Sequence, residues 1–245
     1  MTFKLELIDN NIFKTIFGSV ASIIDEVTLI ADNDGLRMRA LDKDHITFIS
    51  LDLEYRLFDE YQCDVPEKIN IDAGQFDKIL KKCKSSDILQ LNVDEGNLIV
   101  IFEGDASRKF NLRLIDMEYE SQAPPIIDHP INLTIPSELL RESLNDMSLF
   151  NDKIIFTVDQ DYLKIRAEGM KGEGEIKFIH GCNVQETCQS IFNNDKLKDI
   201  LKASKFRKTC TLNLGDNIPL KITFELETCD GQLSYLLAPR LETED

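Results

Sequence analysis

The stretch NIFKTIFGSVA (residues 11–21) decides the fold, because a matching stretch, ELLRESLNDMS (138–148), returns later in the chain. Both stretches place apolar side chains at helical spacing, and Lys14 and Arg141 occupy the same step of the repeat. Three further pairs follow in the same order: DGLRMRA (34–40) with DYLKIRA (161–167), FDKILKKCK (76–84) with LKDILKASK (197–205), and LIVIFE (98–103) with LKITFE (220–225). A fixed order of matching pieces predicts two copies of one domain.

The length and the position of the prolines fit this division. A chain of 245 residues is long enough for two ordinary domains, and 42% hydrophobic residues suffice for two cores. Pro124, Pro125 and Pro130 lie among acidic residues at the joint between the copies. We therefore predict an N-terminal domain over 1–117, a connecting loop over 118–131 and a C-terminal domain over 132–245.

Short strands separated by turns, with four interrupting helices, predict an α+β fold built from antiparallel sheets. Asn33-Asp34-Gly35 and Asp94-Glu95-Gly96-Asn97 are typical of hairpin turns, and Asp72 and Ser137 are candidate helix N-caps. The predicted helices cover about 9–23, 72–84, 137–149 and 195–206. The predicted strands are 2–8, 26–32, 35–41, 45–51, 65–71, 86–92, 97–103 and 107–115 in the first copy, and 132–136, 152–158, 161–167, 174–180, 185–192, 209–214, 219–226 and 233–237 in the second.

The charge is distributed unevenly along the chain. The formal net charge is −16, yet residues 72–84 carry four Lys against two Asp and residues 195–208 carry six Lys or Arg against two Asp. These segments have net charges of +2 and +4, so the other 218 residues carry −22. So acidic a protein repels nucleic acid over most of its surface, which confines any phosphate contact to the two basic helices. A merely solvated lysine face is the alternative interpretation of these helices.

The motifs of several function classes are missing. The six cysteines lack CxxC spacing and there are only three histidines, so we expect no metal site and no cofactor. Without a P-loop, a GxSxG motif or converging carboxylates, we expect no catalytic activity; a nuclease or phosphotransferase using the many carboxylates is the enzymatic alternative. The start of the chain has no signal-peptide pattern, and no apolar run reaches the ~18 residues of a membrane span. We therefore expect an intracellular protein without membrane association.

Two segments are candidate open sheet edges, RKFNLRL (108–114) and GEIKFIH (174–180). An open edge can pair with another chain, and pairing between two different edges is heterologous, so that it closes into a ring when the rotation allows. The predicted subunit-interface residues are Arg108, Lys109, Phe110 and Arg113 on the first edge, and Glu175, Ile176, Lys177 and Phe178 on the second.

Five long stretches carry a family resemblance: IIDEVTLIADNDGLRMRALDKDHITFISLDL (23–53), LFDEYQCD (57–64), KILKKCKSSDILQL (78–91), LIDMEYE (114–120) and IPLKITFELETCDGQLSYLLAPRLE (218–242). On these the chain resembles, from end to end, DNA sliding clamps of the proliferating cell nuclear antigen (PCNA) family, archaeal members most of all. The resemblance implies a DNA-clamp fold, with sheets outside and two helices per repeat inside, assembled into a pseudo-sixfold trimeric ring.

The resemblance also implies a function and a set of partners. The ring would encircle duplex DNA without sequence preference, act as a polymerase processivity factor in the cytoplasm or nucleoid, and be opened by a clamp loader. DNA polymerase, clamp loader, flap endonuclease and DNA ligase would dock through a short peptide that contains Gln, an aliphatic residue and paired aromatics. A subunit of a hetero-oligomeric or checkpoint-type clamp is the alternative.

Two sets of site residues follow. The DNA-facing cations implied by the resemblance are Lys14, Lys78, Lys81, Arg141 and Lys202, and helical geometry adds Lys82, Lys84, Lys198 and Lys205. Positions that are basic in relatives carry Thr15, Ala21, Glu142, Asn145 and Asp195 here, so the first helix of each copy is expected to attract DNA weakly.

The partner-peptide pocket implied by the resemblance is lined by Leu41, His45, Ile46, Phe48, Pro125, Pro219, Leu236, Leu237, Ala238 and Pro239. Leu41 replaces a usual Met, Leu236 replaces a usual Tyr, and Gln122 and Pro124 stand where many relatives have aliphatic residues. These departures leave the peptide preference open. A structural hydrogen-bonding role for His45 is the alternative to a partner contact.

Overall fold

A computed structural model describes residues 3–117, 123–179, 187–226 and 230–240. The chain divides into two compact units. Unit 1 comprises Met1–Lys43, Ile49–Pro124 and Glu225–Leu233, and unit 2 comprises Asp44–Phe48, Pro125–Phe224 and Ser234–Asp245. The predicted boundaries at 117/118 and 131/132 remain a prediction, and residues 118–122 of the predicted loop lie outside the described residues.

The first half of the chain alternates short strands with two helices. Its elements are β1 (Phe3–Leu7), α1 (Asn10–Val20), β2 (Glu26–Asp32), β3 (Gly35–Leu41), β4 (Thr47–Glu54), a 3₁₀ turn (Tyr55–Leu57), β5 (Glu60–Cys63), β6 (Glu67–Asp72), α2 (Ala73–Leu80), β7 (Ile88–Asp94), β8 (Asn97–Glu103) and β9 (Arg108–Arg113).

The second half repeats this alternation. Its elements are β10 (Ile131–Pro136), α3 (Ser137–Met147), β11 (Lys153–Val158), β12 (Tyr162–Gly169), β13 (Gly172–Ile179), β14 (Cys188–Asn193), α4 (Asn194–Ile200), a 3₁₀-helix (Leu201–Phe206), β15 (Thr209–Leu214), β16 (Leu220–Glu225) and β17 (Gly231–Leu237). The prediction of an α+β fold with antiparallel sheets and two helices per copy is confirmed.

Unit 1 contains an antiparallel sheet in the order β5-β1-β7-β8-β9, which makes β9 its terminal strand. A second antiparallel set pairs β2 with both β3 and β6. Side chains alternate along β1, where Phe3, Leu5 and Leu7 are all buried, as expected for a half-buried strand. The buried rings of Phe17 on α1 and Phe76 on α2 meet edge to face, with 4.9 Å between their centroids, so the two helices share an aromatic core.

Unit 2 contains an antiparallel sheet in the order β13-β12-β11-β14, which makes β13 a terminal strand. A second set pairs β10 with β15 and β15 with β16. The core-facing stripe of α3 buries Leu140 and Leu144, and α4 buries Leu197 and Ile200. The apolar spacing that marks both helices in the sequence thus faces the core, and their charged residues face outward.

Both predicted hairpin turns are confirmed. Asp32 pairs with Gly35 across the first turn and Asp94 with Asn97 across the second, so each loop has two residues. Gly35 has a φ of 141°, and a Cβ there would lie 2.0 Å from the carbonyl oxygen of Leu53, so only glycine fits. In the second turn Glu95 and Gly96 both have positive φ, as a type I′ turn requires.

Three local predictions were wrong or incomplete. Ser137 is the first helical residue of α3, and the preceding Pro136 takes the N-cap position without a side-chain cap; the Ser137 hydroxyl instead donates to the carbonyl of Arg207. The predicted helix 195–206 is an α-helix only to Ile200 and continues as 3₁₀. The short strand β5 was missed because its four residues are too few for their alternation of polar and apolar side chains to stand out. By contrast Asp72 caps α2 as predicted and accepts from the backbone N–H of Gln75 at 2.6 Å.

Some predictions fall outside the described residues, namely the last residue of strand 174–180, the start of strand 185–192, Gln122, Cys182 and Cys229. Within the described ranges, no helix has both the length and the apolar character that crossing a membrane would require.

Candidate functional site

Nine candidate DNA-facing cations, called here the helix cations, lie on or directly after the four helices. Those of unit 1 are Lys14, Lys78, Lys81, Lys82 and Lys84, and those of unit 2 are Arg141, Lys198, Lys202 and Lys205. Their positions follow from local sequence: burying the apolar stripe of each helix leaves the cations on the opposite side. Their contact with DNA remains a prediction.

In unit 1 the helix cations differ in how they are partnered. The ammonium of Lys14 donates to the carbonyl oxygen of Cys83 at 3.1 Å. Lys81 is paired with Asp77 at 2.5 Å, and Lys84 lies 3.6 Å from Asp105. Among the residues that the structure describes, neither of the other two lysines, 78 and 82, forms an ion pair.

In unit 2 each cation but one has an acid three residues before it. Arg141 forms a bidentate pair with Glu138, and the hydrogen bond from its guanidinium holds the pKa of that carboxyl below its ordinary value. The other two pairs are Lys198 with Asp195 at 3.0 Å and Lys202 with Asp199 at 2.6 Å. Lys205 forms no ion pair within the described ranges, but its charge contributes to the lowered pKa of Glu138.

Asp77 of α2 is buried against α1. Its residue is 7% exposed, and while Oδ2 accepts from Lys81, Oδ1 is buried without a hydrogen-bond partner among the described residues. That unpartnered oxygen lies beside α1, since a Cβ at Gly18 would be 3.4 Å from it. In the sequence, Asp77 was counted only as one of the acidic charges. Its position on the same helical face as Ala73 and Leu80, which are both buried, is the signal that could have shown that it faces the core.

The terminal strand β9 carries the first set of predicted interface residues. Lys109 and Arg113 are exposed along it. Arg108 has an internal role that the sequence did not indicate: its guanidinium pairs with the buried Asp87, donates to the carbonyl of Lys82 at 2.9 Å, and lies 5.2 Å from the ring centroid of Phe102. Arg108 therefore ties β9 to the turn after α2.

The terminal strand β13 carries the second set. Glu175 lies 3.6 Å from Lys164 and 3.3 Å from Lys177, and the Lys177 ammonium lies 5.2 Å from the ring centroid of Tyr162. Phe178 is buried in the unit, whereas the next residue, Ile179, is 88% exposed. The structure thus places an apolar side chain in water at the end of an unpaired edge.

Apolar exposure of this kind marks residues that the sequence predictions missed. Leu149 is 81% exposed after α3, and Ile126 and Met170 are fully exposed. Leu149 and Met170 lie in turns, and Ile126 lies in the segment between β9 and β10. Their places between regular elements are the sequence signal that could have identified them. Isolated exposed apolar residues are common on protein surfaces.

The predicted pocket residues fall in unit 2, except Leu41, which ends β3 in unit 1. The turn before β4 is held by two contacts: the N–H of Ala238 donates to Ile46 O at 2.9 Å, and Lys196 pairs with Asp44 at 3.0 Å. His45 has a φ of 58°, a left-handed conformation that is uncommon for a residue other than glycine.

The remaining pocket residues differ in exposure. Phe48, Leu236 and Leu237 are buried, Pro219, Ala238 and Pro239 are half-buried, and Pro125 is exposed. The carbonyl of Pro219 lies 2.8 Å from His129 Nε2. Unit 2 therefore offers a mixture of firmly packed and accessible apolar side chains, with the accessible ones concentrated in turns and in the segment after β17.

The described cysteines are buried thiols. Burial raises the pKa of Cys83 and Cys188 to about 11 and that of Cys210 to about 12, so these thiols stay protonated and unreactive at neutral pH. No group of three or more potential metal ligands occurs within the described ranges.

Comparison with known proteins gives a consistent result for the whole chain. The family model described as "Proliferating cell nuclear antigen, N-terminal domain" matches residues 2–123, and that for the C-terminal domain matches residues 125–240. A protein named DNA polymerase sliding clamp from Methanobrevibacter smithii is 47% identical over 99% of this chain and 100% of its own length. A clamp of the same name from Methanothermobacter thermautotrophicus is also 47% identical with the same coverage.

A crystal structure of Proliferating Cellular Nuclear Antigen from Entamoeba histolytica superimposes with a TM-score of 0.92 at 24% identity. The match covers 98% of this chain and 99% of that one. At that level of identity the likeness establishes the fold, and the fold class predicted from the sequence is confirmed.

Proposed function

The chain belongs to the proliferating cell nuclear antigen family of DNA polymerase processivity clamps, and from this premise we propose that three copies close head to tail into a ring around duplex DNA. The ring tethers DNA polymerase to its template inside the cell, at the nucleoid, and has no catalytic activity of its own. Clamp loader, flap endonuclease and DNA ligase are its further partners, docking through short peptides.

The observation that carries the homotrimer is the pair of terminal strands. β9 ends one antiparallel sheet and β13 ends another, so these two terminal strands are unlike edges that neighbouring copies can bring together. An edge with unpaired N–H and C=O groups is satisfied by a strand from a neighbouring chain, and pairing between unlike edges continues from copy to copy until the ring closes.

The helix cations support DNA contact. They are lysines with one arginine on helices, within a chain whose remaining surface is acidic. Lysine ammonium groups act as point charges that exchange between phosphates, which gives attraction without sequence preference and with a steep salt dependence. Retention on DNA then comes from the closed ring, since no site in the described residues is arranged for base readout.

The partner pocket is supported by the accessible apolar residues of unit 2. His45 and Ile46 are presented by a turn that is fixed at both sides, and Ala238 and Pro239 follow β17 half-buried. Such a surface suits a short peptide that inserts aliphatic and aromatic side chains.

Light scattering behind a sizing column tests the assembly first. A closed ring has a mass of about 84 kDa, three times the 28.0 kDa of one chain, and keeps it on dilution. Lys109→Glu with Arg113→Glu on β9 should reduce the mass to that of one chain, whereas Lys221→Glu on the non-terminal strand β16 should leave it unchanged. A wild-type mass of one chain would refute the homotrimer and point to a subunit that needs non-identical partners.

Polymerase extension on a primed circular template tests the function. The wild-type protein with its loader should increase the length of DNA that the polymerase synthesises each time it binds the template. If the protein forms the ring but the DNA products are no longer than without it, the processivity role is refuted.

A further inference from the structure

The helix cations of unit 2 have acidic partners at a repeated spacing. In unit 2 the pairs Glu138–Arg141, Asp195–Lys198 and Asp199–Lys202 repeat one spacing, with the acid three residues before the base. The acids are at least one-third exposed, so they face the same water as their cations. Three of the four candidate DNA-facing cations of this unit are thereby neutralised locally.

A neutralised cation attracts a phosphate much less than a free one. At distances well beyond the separation of 2.6–3.0 Å within a lysine pair, the acid repels the phosphate almost as strongly as the base attracts it, and at contact the acid still offsets part of the attraction. Counterion release on DNA binding depends on the net positive charge brought to the backbone. Within the described residues of unit 2, Lys205 is the one cation of this set without an ion pair, although its charge also acts on Glu138.

Helix stabilisation is the competing explanation of the pairs. An acid in the first turn of a helix interacts favourably with the helix dipole, and this accounts for Glu138 in α3 and Asp195 in α4. Asp199 is not explained in this way, because it lies beyond the first turn of α4 and the helical segment continues past it as the 3₁₀-helix Leu201–Phe206. Its position calls for a reason other than the dipole.

We propose that Glu138, Asp195 and Asp199 attenuate the attraction between the helices of unit 2 and the DNA backbone, so that the clamp holds duplex DNA loosely enough to slide. This inference rests on the proposed function, since it assigns a role to residues of the DNA-facing surface. The acids are tuning residues: they set the strength of a contact that the lysines make.

The test is the combined variant Glu138→Gln, Asp195→Asn and Asp199→Asn, compared with wild type by fluorescence anisotropy of a short labelled duplex over a range of salt concentrations. The variant should bind at least about tenfold more tightly at low salt, and its log–log salt dependence should steepen by about 0.9 for each additional phosphate neutralised.

The matched control removes three paired acids that lie on strands or in a hairpin turn: Asp34→Asn, Glu54→Gln and Glu60→Gln. Its net charge changes equally, so an equal gain in affinity would show that only overall charge matters and would overturn the proposal. An unchanged or weaker affinity of the helix variant would also overturn it.

A second variant separates attenuation from helix stability. Asp199→Asn alone removes a carboxylate that lies beyond the first turn and gains no stabilisation from the helix dipole, so its thermal midpoint should change little while its duplex affinity rises. If the triple variant unfolds, this single variant decides the proposal, and tighter binding is required of it. Polymerase stimulation by the wild type is measured in parallel; if it is present and Asp199→Asn binds no tighter, attenuation alone is refuted and the clamp function stands.

Discussion

Replacing Arg108 by alanine should destabilise the folded chain, although Arg108 lies on an exposed edge strand. The substitution removes the guanidinium that pairs with the carboxylate of Asp87, whose side chain is 3% exposed, and it also removes the donor to the carbonyl of Lys82. The interaction with the ring of Phe102 is lost as well. The N–H of Lys84, which donates to Asp87 at 2.7 Å, then remains as a partner for a buried negative charge.

The magnitude follows from burial. Removing one partner of a buried pair costs about 3–5 kcal/mol, because the other charge is left uncompensated. The Arg108 side chain is 32% exposed, so water already screens part of the interaction, and we expect about 2–3 kcal/mol. With a urea dependence of about 1–3 kcal/mol per molar, the unfolding midpoint should fall by about 0.7–3 M.

Urea unfolding of Arg108→Ala and Lys109→Ala at one protein concentration checks this expectation, since apparent stability depends on association. Lys109 is the matched control: it is the next residue, is exposed, and should change stability by less than about 0.5 kcal/mol. Adding Asp87→Asn should recover part of the loss, with a coupling energy of about 1–3 kcal/mol. Equal midpoints for the two alanine variants, or strict additivity in the double variant, would refute the assigned internal role.

Three further predictions concern the core, a thiol and the pocket turn. Phe17→Ala should cost about 3–5 kcal/mol in urea unfolding, because a fully buried ring against Phe76 is replaced by a cavity, whereas Phe17→Leu should cost less. Cys210, with a pKa raised by burial from 9.0 to about 12, should contribute stability that is full below pH 9 and declines as the pH rises toward 12; it should resist alkylation at pH 8, and its labelling in the native protein would contradict this. Lys196→Ala should weaken binding of a labelled partner peptide by up to about fivefold, since an exposed pair such as that with Asp44 contributes about 0.2–1 kcal/mol, and unchanged anisotropy titrations would rule out the positioning role.

The fold could be predicted from the sequence largely because the chain repeats its own pattern. Apolar spacing located α1 to α4. Gly35 and Gly96 located two hairpin turns, because such turns need a positive φ, which glycine adopts readily. The N-cap of α3 could not be predicted, because the hydroxyl of Ser137 has a distant partner, the carbonyl of Arg207, that local sequence does not reveal.

The candidate site was predictable in its residue types and less so in its contacts. Helical geometry placed Lys198 and Lys202 on the outer face. The charge count included the neighbouring acids Asp195 and Asp199 but did not identify them as ion-pair partners at 3.0 and 2.6 Å. The contact of Arg108 with Asp87 joins residues 21 positions apart, and such a pair depends on the packing of β9 near the turn after α2. Side-chain partners across elements are set by tertiary structure, which periodicity alone does not describe.

The two unlike edges of each copy have a genetic consequence. In the proposed ring, a copy with a damaged β9 still presents an intact β13 and can join a growing arc, which it then cannot close. When the altered chain is expressed beside the normal one, it would prevent mixed rings from closing, so the allele would be dominant. An allele that damages both edges would be excluded from every assembly and behave as recessive, so the milder lesion at the protein level would be the more severe one for the cell.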